Sequence, residues 1–137
     1  MIKHWLVKSE PETYSWDNLV RDKHTVWDGV RNFSARNHLA EMKTGDQVLF
    51  YHSNEGKEVV GLAKVSREAY PDPSAGDSKW VVCEITAVRP LKHAVTLVTI
   101  KADRRLQNMA LVKQGRLSVM PVSLEEFERI MELGNAS

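Results

Sequence analysis

The sequence predicts a strand-rich α+β domain built on a strongly curved sheet or barrel with short flanking helices. Two long valine-rich segments lie either side of one polar loop, the signature of a long hairpin-like pair. Shorter apolar segments precede them, and every helix candidate is brief and carries its own capping signal. The 137 residues suit one domain spanning 1–137, and 42% apolar content supplies a core without disulfides or a metal staple.

Trp5 to Lys8 reads as the first strand, and Ser15 can cap a helix over Trp16 to Arg21. A second helix is predicted over Asn32 to Met42, where Ala35, Leu39 and Met42 share helical spacing and Thr44-Gly45 ends it. Gly45-Asp46 then turns the chain into a strand at Gln47 to His52. Glu58 to Glu68 is rich in valine and small residues. Lys79 to Arg89 places Val81, Cys83, Ile85 and Ala87 on one face of a strand. The intervening Tyr70 to Ser78, with two prolines and a glycine, reads as an ordered loop. His93 to Ala102 suits a buried strand or a short helix capped by Thr96, and the helix is favoured. Last comes the clearest helix: Ser123-Leu124-Glu125-Glu126 forms a capping box, Leu124, Phe127, Ile130 and Met131 share a face, and Gly134 is the expected stop.

Charge and cysteine content narrow the function classes. A net charge of +1 gives little long-range attraction to nucleic acid, so any such binding must use a local cluster or a pocket. The lone Cys83 cannot form an internal disulfide, and its place in an apolar alternation favours a buried small hydrophobe over a nucleophile. No segment has the length of a membrane span or the apolar run of a signal peptide, so a cytoplasmic location is the expectation. The five histidines show no metal-ligand spacing and the glycines are scattered singly. No metal site, cofactor or phosphate loop is therefore expected.

Polar and aromatic residues concentrate in four segments. In Trp27-Asp28-Gly29-Val30-Arg31-Asn32, a flexible glycine leads into a helix start beside an indole and an amide. Such a pairing suits a flat, polar-edged heterocycle, because the ring stacks while the amide both donates and accepts. On the segment alone, a core tryptophan followed by a helix-capping asparagine is the favoured reading, since large aromatics are usually buried. Lys8-Ser9-Glu10-Pro11 offers a cation, a hydroxyl and an acid at a strand end. Adjacent residues on an extended chain point to opposite faces, which argues against Lys8 activating Ser9 and for pocket lining or turn chemistry. Tyr51 and Ser53 share a face of the strand that His52 leaves, and His52 reads as a hydrogen-bonded structural residue before a ligand or base. Arg116-Leu117-Ser118 precedes the last helix, where Arg116 suits either a phosphate contact or an ion pair.

These segments resemble, in order, motifs of the EVE family. The resemblance is carried by W-L-V-K-S-E-P-E from Trp5, W-D-G-V-R-N-F-S-A-R-N from Trp27 and F-Y-H-S-N from Phe50. It continues through V-V-G-L-A-K-V from Val59, Y-P-D-P from Tyr70 and R-L-S-V-M-P-V from Arg116. It covers nearly the whole chain and is similar to the bacterial stand-alone form. The resemblance implies a PUA-like fold, a curved mixed sheet or pseudo-barrel with short helices, and kinship with YTH domains that cage a methylated base. It implies a module that recognises a modified base, methylated or otherwise modified cytosine above all, in DNA or RNA, and not an enzyme. The pocket it implies draws on Lys8, Ser9 and Glu10, on Trp27, Gly29, Val30 and Asn32, on Tyr51 and Ser53, and on Arg116, Leu117 and Ser118. An extruded base would stack on Trp27 or Tyr51, with Arg31, Arg36 and Arg116 as candidates for phosphate contact. The alternatives are an enzyme acting on a modified nucleoside or nucleic acid, using Lys8, Glu10 or His52, and a small-molecule sensor using the same pocket.

Overall fold

In the computed structural model, which describes residues 2–28, 32–54, 56–73, 75–76 and 79–135, the chain opens with β1 (His4–Ser9), α1 (Trp16–Asp22), β2 (His24–Trp27) and α2 (Phe33–Glu41). It continues through β3 (Gln47–His52), β4 (Glu58–Pro71), β5 (Val81–Thr96), α3 (Leu97–Ala102), α4 (Ala110–Lys113), β6 (Val119–Val122) and α5 (Leu124–Asn135). A 3-10 turn at Arg104–Leu106 joins α3 to α4. The six strands form one mixed sheet in the order β2-β5-β4-β3-β1-β6, which does not close into a barrel. Among the described residues only β1 and β3 pair in parallel.

Burial explains the sequence pattern of the centre. Trp5, Leu6 and Val7 of β1 and Val48 to Tyr51 of β3 are all buried, so neither strand alternates. A strand covered on both faces reads as a continuous apolar run. His4 packs its ring on Phe127 of α5, while its neighbour Trp5 faces His38 of α2. Successive strand residues point to opposite faces, so α5 and α2 cover β1 from opposite sides. Asp46, only 2% exposed, accepts hydrogen bonds from the backbone of Lys3 and Lys43 and from the Trp5 indole. Burial opposes its ionisation, yet those three donors hold its carboxyl below the usual aspartate range.

Two strands are longer than the sequence suggests. β4 runs on to Pro71 and β5 to Thr96, with four register shifts between them. Each shift bends the pair and increases its twist. Pro90 sits opposite Gly61 next to such a shift, where a missing ladder donor is tolerated. The bending curls the sheet back on itself. β2 and β3 are separated by two strands, about 14 Å on a flat sheet, yet the Trp27 and Phe50 rings meet edge to face at 5.7 Å.

The remaining expectations need local correction. His93 to Thr96 belongs to β5, and the helix begins only after Thr96, whose hydroxyl caps it by accepting from the Thr99 N–H. Gly134 does not stop the last helix. It lies inside α5, where an added Cβ would stand 2.8 Å from Leu91, so the glycine serves close packing against β5. The strands β2 and β6 and the short α4 were not foreseen. No helix among the described residues is long and apolar enough to cross a membrane.

Candidate functional site

The parallel pairing of β1 and β3 sets Ser9 beside His52, so both strands release their following loops at one end of the sheet. β6 runs back along β1 with Val119 opposite Val7, which brings residues 116–118 to the same end. There the Ser118 carbonyl accepts the Lys8 backbone N–H at 2.9 Å. The curl then carries Trp27, the last residue of β2, over this end.

A cavity of about 550 Å3 opens among these parts. One wall is Lys8, Ser9 and Glu10 with Ser118, and the other is Trp27 with Thr25, Val26 and Asp28 of the β2 segment. Thr13 and Tyr14, from the turn before α1, close it. That turn is held tightly: the Glu10 carbonyl accepts from both Thr13 and Tyr14, and the Ser9 hydroxyl donates to the Tyr14 carbonyl. Behind the cavity, Phe50 touches the rings of Trp16, Trp27 and His52 edge to face at 5.5 to 5.8 Å. Phe50 itself is fully buried, so the Trp27 ring, which is partly exposed, rests on a fixed support.

Lys8 and His52 are already engaged. Lys8 donates from Nζ to the Gly115 carbonyl at 2.6 Å, and burial pushes its pKa down. His52 accepts the Trp16 backbone N–H on Nε2 at 3.0 Å, which fixes a neutral ring protonated on Nδ1. Burial lowers the pKa of His52 against the opposing pull of Glu58 and Asp17. Cys83 is completely buried and its thiol is pushed up to about 12 by that burial, with the Glu84 charge adding to the rise. Among the described residues no group of three His, Cys, Asp or Glu side chains converges to hold a metal ion.

The other expected site residues lie close by but in different cavities. Tyr51, only 2% exposed, and Ser53 line a smaller one of about 210 Å3 on the far side of Lys8. The Lys8 ammonium stands 5.9 Å from the Tyr51 ring centre, and burial together with Glu58 pushes the phenol up to about 12. Among the described residues Trp27 and Tyr51 therefore share no cavity and do not form the two walls of one cage. Asn32, Arg116 and Leu117 line a third cavity of about 290 Å3 with Ser34, Gln114 and Gly115. The Asn32 side-chain oxygen accepts the Ala35 N–H at 3.0 Å and so caps α2. Arg36 lies over the Phe33 ring with its Nε buried and without a hydrogen-bond partner. Gly29, Val30 and Arg31 fall outside the described residues. The sequence gives no signal for Thr25 and Val26, because β2 is four residues long and carries no periodicity to read, nor for Thr13 and Tyr14, which lie in the irregular turn before α1.

The EVE domain family matches residues 3–133. The chain belongs to the EVE family. This EVE domain is 35% identical to human thymocyte nuclear protein 1, a match covering 95% of this chain and 73% of that protein. Its fold superposes on a protein of Rhodopseudomonas palustris, solved by NMR, with a TM-score of 0.93 and 50% identity, covering 97% of this chain and 93% of the other. A crystal structure of human THYN1 protein in complex with 5-methylcytosine-containing DNA matches with a TM-score of 0.91 and 34% identity. That match covers 98% of this chain and 99% of the human one. The EVE domain thus has the open, PUA-like form of this family, with the cavity at the end of the sheet where β1 and β3 finish.

Proposed function

We propose that this EVE domain is a reader of modified cytosine in DNA, which takes the extruded base into the 550 Å3 cavity and stacks it on Trp27. The observation that carries the reading is the Trp27 ring itself, partly exposed to a roomy cavity and braced from behind by buried Phe50. A relative of matching fold has been crystallised with 5-methylcytosine-containing DNA, which favours DNA over RNA and cytosine over other bases. The opposite wall supplies mixed polarity along the edge of a bound ring: the Ser9 hydroxyl, the Glu10 carboxylate, and Ser118. Flipping a base costs a few kcal/mol, which stacking and edge hydrogen bonds offset.

The engaged state of Lys8, Ser9 and His52 favours binding over catalysis. A general base must be free to take a proton from substrate, whereas the His52 lone pair is held by the backbone of α1. Lys8 and Ser9 likewise spend donors on main-chain carbonyls.

The test is a comparison of oligonucleotides that carry 5-methylcytosine or cytosine, titrated against the wild type and Trp27→Ala. Base stacking on an aromatic is worth roughly 1–3 kcal/mol, so the variant loses about 5- to 150-fold in affinity for the modified strand. Trp27→Phe keeps part of it. Equal discrimination by Trp27→Ala and the wild type, with both folded, removes Trp27 from the site. Tighter binding to a modified RNA of the same sequence moves the assignment to RNA.

A further inference from the structure

We infer that the DNA strand leaves the base cavity along a lysine-lined groove, past Lys8 and over Lys57 and Lys101, where its phosphates are held. The inference rests on the base-reading assignment above and adds the path of the backbone. Three openings in the surface adjoin one another through shared lining residues. The base cavity and the 210 Å3 cavity share Lys8. The latter shares Asn54, Lys57, Leu97 and Lys101 with a further depression of about 630 Å3 bounded by Thr96 and Val98. The two outer openings are lined by Lys8, Lys57 and Lys101 with the hydroxyls of Ser53 and Thr96, while the amide of Asn54 at their rim donates to the Glu12 carboxylate at 2.9 Å. Lysine ammoniums and hydroxyl donors fit a phosphodiester backbone.

No ion pair among the described residues engages Lys57 or Lys101, in contrast to Arg105 and Arg129, which are tied to Glu132. The charge of the whole chain hides this arrangement. α5 alone holds four glutamates against one arginine, in a protein whose total is +1, and none of its residues lines the groove. Both lysines are anchored through the backbone: Lys57 directly precedes β4 and its carbonyl accepts the Leu97 N–H, while Lys101 is in α3. The sequence had pointed instead to Arg31, Arg36 and Arg116 for phosphate contact, and neither Arg36 nor Arg116 borders this groove.

The experiment uses the full chain with duplex oligonucleotides bearing 5-methylcytosine or cytosine, titrated over a range of salt. Variants are Lys57→Gln, Lys101→Gln and the pair, with Lys92→Gln, an exposed β5 lysine outside the groove, as control. Each lost phosphate contact makes the slope of log affinity against log salt shallower by about 1, so the pair shifts it by about 2. Affinity for both oligonucleotides falls by one common factor, and the ratio between them stays at the wild-type value. If the wild type discriminates the methylated strand while the double variant keeps the wild-type slope, the groove is excluded and the base site stands. If the wild type binds neither oligonucleotide, both assignments fall.

Discussion

The imidazole of His52 sits where β3 meets the first turn of α1, and its surroundings fix its protonation state. Its Nε2 accepts the Trp16 N–H, an interaction open only to the neutral ring. Burial lowers its pKa from the ordinary 6.5, and the nearby carboxylates of Glu58 and Asp17 do not reverse that direction. The unfolded chain therefore takes up a proton before the folded one does. Stability from this site is complete above pH 6.5 and declines as pH falls from there through the lowered native value, below which no further loss accrues. Because α1 follows the turn that closes the candidate cavity, the folded site is unaffected until pH falls to the lowered native value, and only there, as the ring itself protonates, is oligonucleotide affinity expected to weaken. An NMR titration checks this directly: the ring shows the Nδ1-protonated tautomer and a midpoint below 6.5. A midpoint at or above 6.5 contradicts the account.

At the scale of elements, the seating of α1 on the sheet depends on one missing side chain. Gly61 of β4 lies under Trp16, and a Cβ added there would stand 2.6 Å from three atoms of the indole. Nothing nearby yields easily, since Trp16 also packs on buried Phe50. Gly61→Ala should cost about 1–3 kcal/mol, typical of overpacking, and should lower the Tm measurably. An unchanged Tm would mean that α1 is not seated as described. The contrast between legible and hidden elements follows the same physics. α1 and α5 announced themselves because capping is local: Ser15 with Asn18 and Ser123 with Glu126 exchange reciprocal hydrogen bonds within four residues. β2 and β6 stayed hidden because four residues at the sheet edges carry too little pattern, and β6 includes Pro121, which only an edge strand admits. Thr96 could be read as a cap, but not the strand running into it, since the extension of β5 is set by its pairing with β4.

For the whole molecule, the candidate site is legible as a set of segments and not as an assembly. Lys8, Ser9, Glu10, Trp27 and Ser118 do meet in one cavity, whereas Tyr51 and Asn32 turn toward others. The long paired segments already pointed to a curved sheet; what they could not convey is where it bends, which is set by register shifts spread over β3, β4 and β5. That curl makes the integrity of the cavity a property of β5, because β2 reaches the site only by pairing with it, Trp27 opposite Cys83. Cys83 thus reports on the union of site and fold. Its thiol is wholly buried, and its pKa near 12 leaves almost no thiolate at neutral pH. Modification therefore requires an opening, and the denaturant dependence of the labelling rate tells which opening it is. If β2, β5 and β4 separate only when the protein unfolds, labelling in native buffer is negligible and rises with denaturant at the full slope of global unfolding. If β2 peels alone, Cys83 labels in native buffer at a rate nearly independent of denaturant. The first outcome is expected, since Cys83 packs in the same buried cluster as Phe50 and Ile85, with Trp27 against its edge. The second would mean that the Trp27 wall detaches in the free protein, and that a bound base must close the site before it can be read.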